Sequence, residues 1–238
     1  MSDVSSRAPS RVWYAAYGSN THAERLGYYL AGGRPPGAAR AFPGCREPQG
    51  PEASVALLLP GQVYFATESP VWGGGRAFYD PAADGTAWAV AHLLTLGQFS
   101  DIAAQEMYRP PGSDLDLTEA LATGRCALGP GRYETLVCAG FLDGGDGDGD
   151  GLPVLTFTAP WPMPEVLRPP SAAYLRYLAA GLHDAGAWRP AEVAVYLAGR
   201  PGAAGHWTAE AVAALSVPTA PTGPLGPASR CRPGPRRP

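Results

Sequence analysis

The sequence has few charged side chains, no excess of positive charge and no long apolar run. Charged residues make up 16% of the 238 residues, and the formal net charge at pH 7 is −3. A general nucleic-acid binder would show a basic excess or basic stripes, so this class is excluded. No apolar run approaches the length that spans a bilayer, and residues 1–10 lack the apolar core of a signal peptide. We therefore expect a soluble, cytoplasmic protein with neither a membrane nor a nucleic-acid partner.

Clusters of metal-binding side chains are also missing. The cysteines (Cys45, Cys126, Cys138, Cys231) are widely spaced, and no pair has the short spacing of a zinc or redox site. We predict reduced, mostly buried thiols. A zinc-dependent amide hydrolase would need clustered ligands, whereas the histidines are scattered at His22, His92, His183 and His206. We expect no metal and no cofactor.

Glycine and proline are abundant, and part of this excess lies in low-complexity stretches. Residues 143–151 alternate Asp with Gly, but a calcium loop would need a carboxylate where this chain has Phe157. Residues 216–238 are rich in proline and too poor in apolar residues for a core. We predict one domain over residues 11–215 between disordered residues 1–10 and 216–238, and expect removal of residues 217–238 to leave folding and activity intact. Lysine and isoleucine are scarce, a bias typical of high-GC bacterial coding.

Residues 12–33 predict a buried strand, a tight turn and a helix that follow one another directly, and the rest of the chain is arranged around this unit. Residues 12–17 are apolar without alternation, which is typical of a strand covered on both faces. Gly18, Ser19 and Asn20 tolerate turn geometry and cap helices. Such a junction leaves backbone N–H groups unpaired at the positive end of the helix dipole. The turn is a candidate site for an anion or a carbonyl oxygen, although an ordinary structural connection explains the same residues.

A second informative segment is a buried strand over residues 86–94 followed by a helix over residues 95–108. Phe99 and Ile102 define the apolar face of that helix, and Glu106 returns to within about 20° of it at 3.6 residues per turn. Burial would raise the pKa of the Glu106 carboxyl towards neutrality, as a catalytic acid or base requires. An ion pair with an arginine, or a side chain that reaches out to solvent, is the structural alternative. The residues predicted for the other side of the helix are Asp101, Gln105 and Tyr108.

The remaining elements follow from turn, strand and capping patterns. Pro60-Gly61 between residues 54–59 and 62–67 predicts a hairpin, and the glycines at 73–75 allow another group to approach the backbone closely. The other predictions are a loop over 34–52, strands over 132–142 and 152–158, and helices over 118–122, 171–185, 190–198 and 208–215.

Four of these segments, in their order, resemble the γ-glutamylcyclotransferase-like family over roughly residues 12–200. They are Tyr17-Gly18-Ser19-Asn20 after the first strand, a glycine-rich strand from Trp72, Gln105-Glu106 late in a helix, and the segment from Pro170 to Tyr174 that opens another helix. The first is the most specific. The resemblance implies an α+β fold, with a small mixed β-barrel or roll and helices packed around it.

The resemblance also implies roles for individual residues. The turn Tyr17, Gly18, Ser19 and Asn20, continued by Thr21 and His22, would bind a γ-glutamyl group through main-chain groups. Glu106 would be the acid and base, and Tyr174 would contact the substrate. The chain departs from the family pattern at Ala103 and Met107, where the family has Asp and Gly, and it carries extra sequence over residues 34–85. These departures leave room for a substrate other than the family's dipeptide-like ones.

The implied partner is a small γ-glutamyl amide or peptide. Its α-amine can attack its own γ-carbonyl, close 5-oxoproline and release an amine, so no metal, cofactor or enzyme nucleophile is required. One glutamate with a raised pKa can move both protons, and the backbone N–H groups of residues 18–21 can bind the α-carboxylate or the developing oxyanion.

Two other functional interpretations of the same residues remain. Ser19 as a nucleophile would need a histidine base and lacks the G-x-S-x-G elbow, so we interpret it as a turn residue. The stronger alternative is a non-catalytic protein of this fold that binds a small ligand or a partner. The sequence leaves the oligomeric state and the amine half of the substrate open.

Overall fold

The computed structural model describes residues 9–35, 41–144, 151–215 and 225–233. Its strands are β1 (Arg11–Ala16), β2 (Ala53–Pro60), β3 (Gln62–Glu68), β4 (Gly75–Asp80), β5 (Thr86–Thr95), β6 (Arg125–Ala127), β7 (Thr135–Leu142), β8 (Leu152–Thr158) and β9 (Ser229–Arg230). Its helices are α1 (Ala23–Ala31), α2 (Leu96–Glu106), α3 (Thr118–Thr123), α4 (Ala172–Asp184), α5 (Pro190–Ala198) and α6 (Ala209–Ala213), with a 3-10 turn at Ser19–Thr21. None of the helices in these ranges has the length and apolar content to cross a bilayer.

β1 lies in the middle of the main sheet, and both of its faces are covered. Val12 and Tyr14 point into a core that α1, α2 and α3 close, whereas Trp13 and Ala15 point into a second core formed with α4, α5 and α6. All four side chains are at most 4% exposed. The absence of alternation in this segment therefore reflects burial on both sides, as predicted.

The α+β class is confirmed, but the predicted barrel is not closed. The main sheet has the strand order β6-β7-β8-β1-β5-β2-β9, and β3 pairs only with β4 in a second sheet. β1 runs antiparallel to β5 and parallel to β8, which brings the end of β1 beside the end of β8. Among the described strands, β6 and β9 remain outer strands, so the sheet does not close on itself through a ladder.

The C-terminal segment differs from the predicted disordered tail. β9 pairs in parallel with β2, and Arg232 exchanges two backbone hydrogen bonds with Phe141 of β7, at 2.8 and 2.9 Å. This segment thus connects β2 to β7 across the open side of the sheet. The backbone N–H and C=O groups of this segment pair with β2 and with β7. The proline-rich composition of the segment does not predict this pairing. Residues 1–8, 145–150, 216–224 and 234–238, which complete the other predicted disordered or flexible segments, lie outside the described residues.

Truncation tests the role of the C-terminal segment and reverses the expectation drawn from composition. A chain that ends at residue 224 loses the β9 ladder and the Phe141–Arg232 bridge. At roughly 1 kcal/mol for each net hydrogen bond, we expect its free energy of unfolding to fall by about 2 to 3 kcal/mol. A chain that ends at residue 233 keeps these bonds and should match the full chain in urea unfolding. Equal stability of the two truncated chains would contradict a structural role for the segment.

The predicted hairpin around Pro60-Gly61 is wrong. β2 pairs with β5 and β9, whereas β3 turns away after Gly61 and pairs with β4. The glycines at 73–75 do allow a close approach, since a Cβ atom on Gly75 would overlap the Arg168 carbonyl oxygen. Backbone of the segment that precedes α4 therefore packs directly against the start of β4.

α2 begins where it was predicted, but side chains expected on its exposed side are buried. Thr95 and Gln98 form the reciprocal capping box, which confirms the start of the helix. Asp101 and Gln105 were expected on its outer side, yet they are 0% and 2% exposed. The reason is the segment around Arg46, whose backbone N–H and guanidinium both donate to the Asp101 carboxylate. Helical periodicity gave the angle between side chains, but a distant loop decided which of them were buried.

The cysteines described by the structure all have free thiols. Cys126 is buried, and Cys45, Cys138 and Cys231 are half-buried. Burial raises the pKa of the Cys45 thiol to about 12, with a further contribution from the charge of Asp101. These thiols are therefore protonated and unreactive at neutral pH.

Candidate active site

A cavity of about 270 Å³ lies where the end of β1, the end of α2 and the start of α4 meet. Six of the residues singled out from the sequence line it: Tyr17, Gly18, Ser19, Asn20, Glu106 and Tyr174. Much of the remaining wall is aromatic or basic, with Tyr14, Arg25, Tyr29, Phe42, Trp72, Arg76, Tyr108, Tyr133 and Phe157. Segments more than 150 residues apart in sequence thus contribute to one site.

The turn after β1 has a defined hydrogen-bond pattern. Thr21 donates its backbone N–H and its hydroxyl to the Gly18 carbonyl, at 3.1 and 2.9 Å, and the backbone N–H of His22 donates to Ser19. These bonds close the 3-10 turn, and neither Thr21 nor His22 lines the cavity. Within the described ranges, the turn and loop backbone hydrogen bonds include none that Gly18, Ser19 or Asn20 donates, and these three residues line the cavity. They are therefore better placed than Thr21 to offer backbone N–H groups to a ligand.

Glu106 is half-buried at the last position of α2 and contacts this turn. The side-chain amide of Asn20 donates to the Glu106 carboxylate at 3.4 Å and to the Tyr14 hydroxyl at 3.2 Å. Because a carboxylate only accepts hydrogen bonds, this geometry fixes which end of the Asn20 amide faces Glu106. The turn thereby contacts the glutamate that the sequence singled out.

His92 in β5 forms a hydrogen bond with the backbone of Asn20. Its Nε2 lies 3.0 Å from the Asn20 carbonyl oxygen, and its Nδ1 lies 2.8 Å from the Ser54 hydroxyl. A carbonyl accepts, so Nε2 carries the proton and Ser54 donates to Nδ1. Burial lowers the pKa of His92 to about 4, against a small opposing effect of the Asn20 hydrogen bond. The ring is therefore neutral at pH 7 and acts as a fixed donor to the turn.

The pH dependence of stability should report on His92. Its pKa is about 4 in the folded protein and about 6.5 in the unfolded chain, so the unfolded chain binds more protons between these values. Stability is then fully present above about pH 6.5 and falls as the pH drops towards 4, by about 3 kcal/mol in total. We expect His92→Gln to flatten this part of the profile in urea unfolding at pH 7, 6 and 5. The exposed His206→Gln is the matched control and should keep the parent slope; a parent slope retained in His92→Gln would contradict this assignment.

Tyr174 faces the same turn from α4. Its hydroxyl accepts the backbone N–H of Ala77 at 3.3 Å, and a Cβ atom on Gly18 would lie 3.1 Å from it. Glycine at position 18 thus lets the phenol approach the turn. The Trp72 ring stacks on Tyr174 with centroids 5.5 Å apart. Burial raises the pKa of Tyr174 to about 12, so it is a neutral donor in the cavity at physiological pH.

Several buried phenols surround Glu106. Burial raises the pKa values of Tyr14, Tyr29 and Tyr133 above the usual value, and the nearby negative charge of Glu106 contributes in each case. These hydroxyls stay protonated and can donate, but they cannot act as bases at neutral pH. Glu106 is the only carboxylate among the described residues that line the cavity.

A second cavity, also of about 270 Å³, shares Glu106, Tyr108 and Tyr133 with the first. Its lining also includes Arg132, Glu134 and Trp161. The described part of the chain contains no group of three His, Cys, Asp or Glu side chains placed to bind a metal ion. The site thus combines one carboxylate with backbone N–H groups, phenols and guanidinium groups.

Sequence reasoning missed several residues of this site. His92 was counted among scattered histidines, and nothing in its strand indicates that it faces the Asn20 carbonyl. Arg25 lies on α1 next to Leu26, so helical spacing gave no reason to expect a buried charge there. The other missed residues of the wall include Tyr14, Tyr29, Phe42, Arg76 and Tyr133.

No protein-family model matches the chain. A curated relative, histone deacetylase 5 of Arabidopsis thaliana, is 30% identical over 206 residues, which is 78% of this chain. The chain spans 30% of the length of that relative, so the match concerns only a part of the plant protein.

The chain is also similar to solved structures at low identity. A γ-glutamyl cyclotransferase is 17% identical, with a TM-score of 0.41 over 74% of this chain and 80% of that one. The uncharacterized protein loc79017 from Homo sapiens is 16% identical, with a TM-score of 0.40 over 75% of this chain and 82% of that one. YkqA from Bacillus subtilis is 17% identical, with a TM-score of 0.40 over 75% of this chain and 50% of that one. Likenesses at this level assign no activity to the chain.

Proposed function

We propose that the protein is a γ-glutamylcyclotransferase-type enzyme that converts a γ-glutamyl amide into 5-oxoproline and a free amine. One observation carries the proposal: Glu106 contacts the Tyr17–Asn20 turn through Asn20, and Tyr174 faces the same turn, within one cavity. These are the residues that the sequence resemblance assigned to substrate binding and proton transfer.

The reaction needs protons to leave the attacking nitrogen and to reach the leaving nitrogen, and it needs a place for negative charge. Glu106 takes a proton from the α-ammonium group, and the freed amine attacks the γ-carbonyl carbon to close the five-membered ring. The negative charge that develops on the carbonyl oxygen is stabilised by backbone N–H groups of Gly18, Ser19 or Asn20. When the carbon–nitrogen bond to the leaving group breaks, Glu106 returns its proton to the departing nitrogen. The extra proton that the ring nitrogen carries after the attack passes to the released amine, which leaves as an ammonium ion. The nucleophile belongs to the substrate, so the scheme requires no metal or cofactor.

The polar surroundings of Glu106 support this role. The Asn20 amide donates to the Glu106 carboxylate, and the surrounding cavity wall is largely aromatic. One carboxyl group in such a site can serve as the base in one step and as the acid in the next. Tyr174, stacked on Trp72, offers a neutral hydroxyl beside the same turn.

Release of 5-oxoproline from a panel of γ-glutamyl amines tests the proposal directly. We expect turnover of at least one panel member, unaffected by EDTA, with one 5-oxoproline formed for each amine released. If the protein binds panel members in calorimetry but releases no 5-oxoproline, it is a ligand-binding protein of this fold. Turnover abolished by EDTA and restored by a metal ion would instead favour a metal-dependent amide hydrolase.

A further inference from the structure

Tyr108 follows the end of α2 in a backbone conformation that tyrosine rarely adopts. Its φ angle is 58°, in the left-handed region, and among the described residues other than glycine only Thr67 shares this property. The Arg109 N–H donates to the Ala104 carbonyl at 2.8 Å, and the N–H of Tyr108 donates to Gln105 at 3.2 Å. These bonds form the Schellman motif that ends many helices, in which the left-handed residue is usually glycine. A tyrosine at this position therefore strains the backbone.

The Tyr108 side chain belongs to the wall that the two cavities have in common. It lines both of them, together with Glu106 and Tyr133. The residue is nevertheless 61% exposed, so most of its surface is accessible from outside the core. The strain is thus not explained by burial of the ring. Strained residues cluster at sites that bind ligands, where the side chain is needed in one place.

The second cavity offers a mainly apolar surface. Besides Glu106 it has two charged side chains, Glu134 and the exposed Arg132. Glu134 is occupied, because it accepts the Gly131 backbone N–H at 2.6 Å and the Arg109 Nη2 at 2.5 Å. The apolar and aromatic residues of this cavity are Met107, Tyr108, Pro130, Tyr133 and Trp161. A group that enters the cavity is therefore held mainly by apolar contact and by aromatic faces.

We propose that the second cavity binds the leaving half of the ligand and that Tyr108 is the specificity-determining residue that contacts this half. The inference rests on the proposed function, for which the glutamyl half lies against the turn at residues 18–20 in the first cavity. Glu106 must reach the leaving nitrogen, and it lines both cavities. The group attached to that nitrogen then extends past Glu106, along the Tyr108 ring, into the second cavity. Tyrosine suits this role because its ring gives a large, rigid contact surface at a low cost in conformational entropy.

The test compares γ-glutamyl-benzylamide with γ-glutamyl-methylamide, two ligands that differ by one phenyl ring in the leaving half. Binding is measured by calorimetry on the full chain with Glu106→Gln, so that the result does not depend on turnover. We expect the benzylamide to bind roughly 10- to 100-fold more tightly, the range for burial of an aromatic group. Adding Tyr108→Gly should reduce this preference to a few-fold and leave methylamide binding unchanged. The melting temperature of that variant should not fall, because glycine adopts the left-handed conformation without strain.

Tyr108→Asn separates the effect of the ring from that of the backbone. Asparagine also tolerates the left-handed conformation but has no ring, so this variant should lose the preference as the glycine variant does. Thr67→Gly is the matched control, because Thr67 has a φ angle of 55° but lies outside both cavities. It should keep the preference of the parent.

Three binding results would overturn the assignment: equal affinity for the two ligands, binding of neither, or a preference that survives both changes of Tyr108. A sharp fall of the melting temperature in both variants would also overturn it, since the tyrosine would then have a structural role. The proposed reaction is judged separately, by 5-oxoproline release from the parent. A preference that depends on Tyr108 without such release would contradict the reaction and leave the second-cavity site standing. Release from both compounds with equal affinity would leave the reaction standing and overturn the role of Tyr108.

Discussion

Glu106→Gln should lower the rate of 5-oxoproline release by roughly 10²- to 10⁴-fold, the usual contribution of a general acid or base. Glutamine keeps the shape of the side chain and can still contact the Asn20 amide group, which lies 3.4 Å from the Glu106 carboxylate. It cannot take the proton from the α-ammonium group or return one to the leaving nitrogen. Binding of a γ-glutamyl ligand should survive, so the loss should appear in turnover rather than in the ligand-induced rise of the melting temperature.

The control for this change is Glu24→Gln on α1, because Glu24 is exposed and lies outside the cavity. That variant should retain parental turnover. Since Glu106→Gln removes a charge from a half-buried position, its melting temperature should be no lower than that of the parent. Turnover within a few-fold of the parent would exclude Glu106 as the proton carrier, and a sharp drop in melting temperature would identify it as part of a structural polar network.

Local patterns in the sequence were sufficient for the turn and for the position of Glu106. The unbroken apolar run before Gly18 predicted a strand buried on both faces, and the spacing from Phe99 to Glu106 predicted a carboxylate turned inward. Both are properties of a few consecutive residues in regular structure. The cavity wall depends on contacts between distant segments, and there the sequence was less informative.

Arg25 shows why these distant contacts escaped prediction. Its helix alone gives no reason to bury a guanidinium, and the aromatic rings around it come from Phe42, in a segment without regular structure, and Trp72, in the connection from β3 to β4. The failed hairpin has the same cause. Pro60-Gly61 correctly predicted a break between two strands, but the pairing partners of β2 are β5 and β9 from elsewhere in the chain.

Asp101→Ala should reduce the free energy of unfolding by roughly 3 kcal/mol, because it removes a fully buried acceptor of several hydrogen bonds. The Asp101 carboxylate is 0% exposed and accepts the Arg46 backbone N–H at 2.8 Å, the Arg46 Nε at 3.0 Å and the Gly112 backbone N–H at 3.1 Å. Alanine would leave these donors without an acceptor and would release two connecting segments from α2. Urea unfolding at pH 7 measures the loss.

Asp114→Ala provides the comparison within the same network. Asp114 is the other acidic partner of Arg46, at 2.6 Å, but its side chain is 52% exposed. Water can replace it, so its removal should cost less than about 1 kcal/mol. A similar loss for Asp101→Ala and Asp114→Ala would mean that burial of the carboxylate does not set the strength of this network. A large loss for Asp101→Ala alone would show that the segment around Arg46 fixes α2, and with it the helix end that carries Glu106.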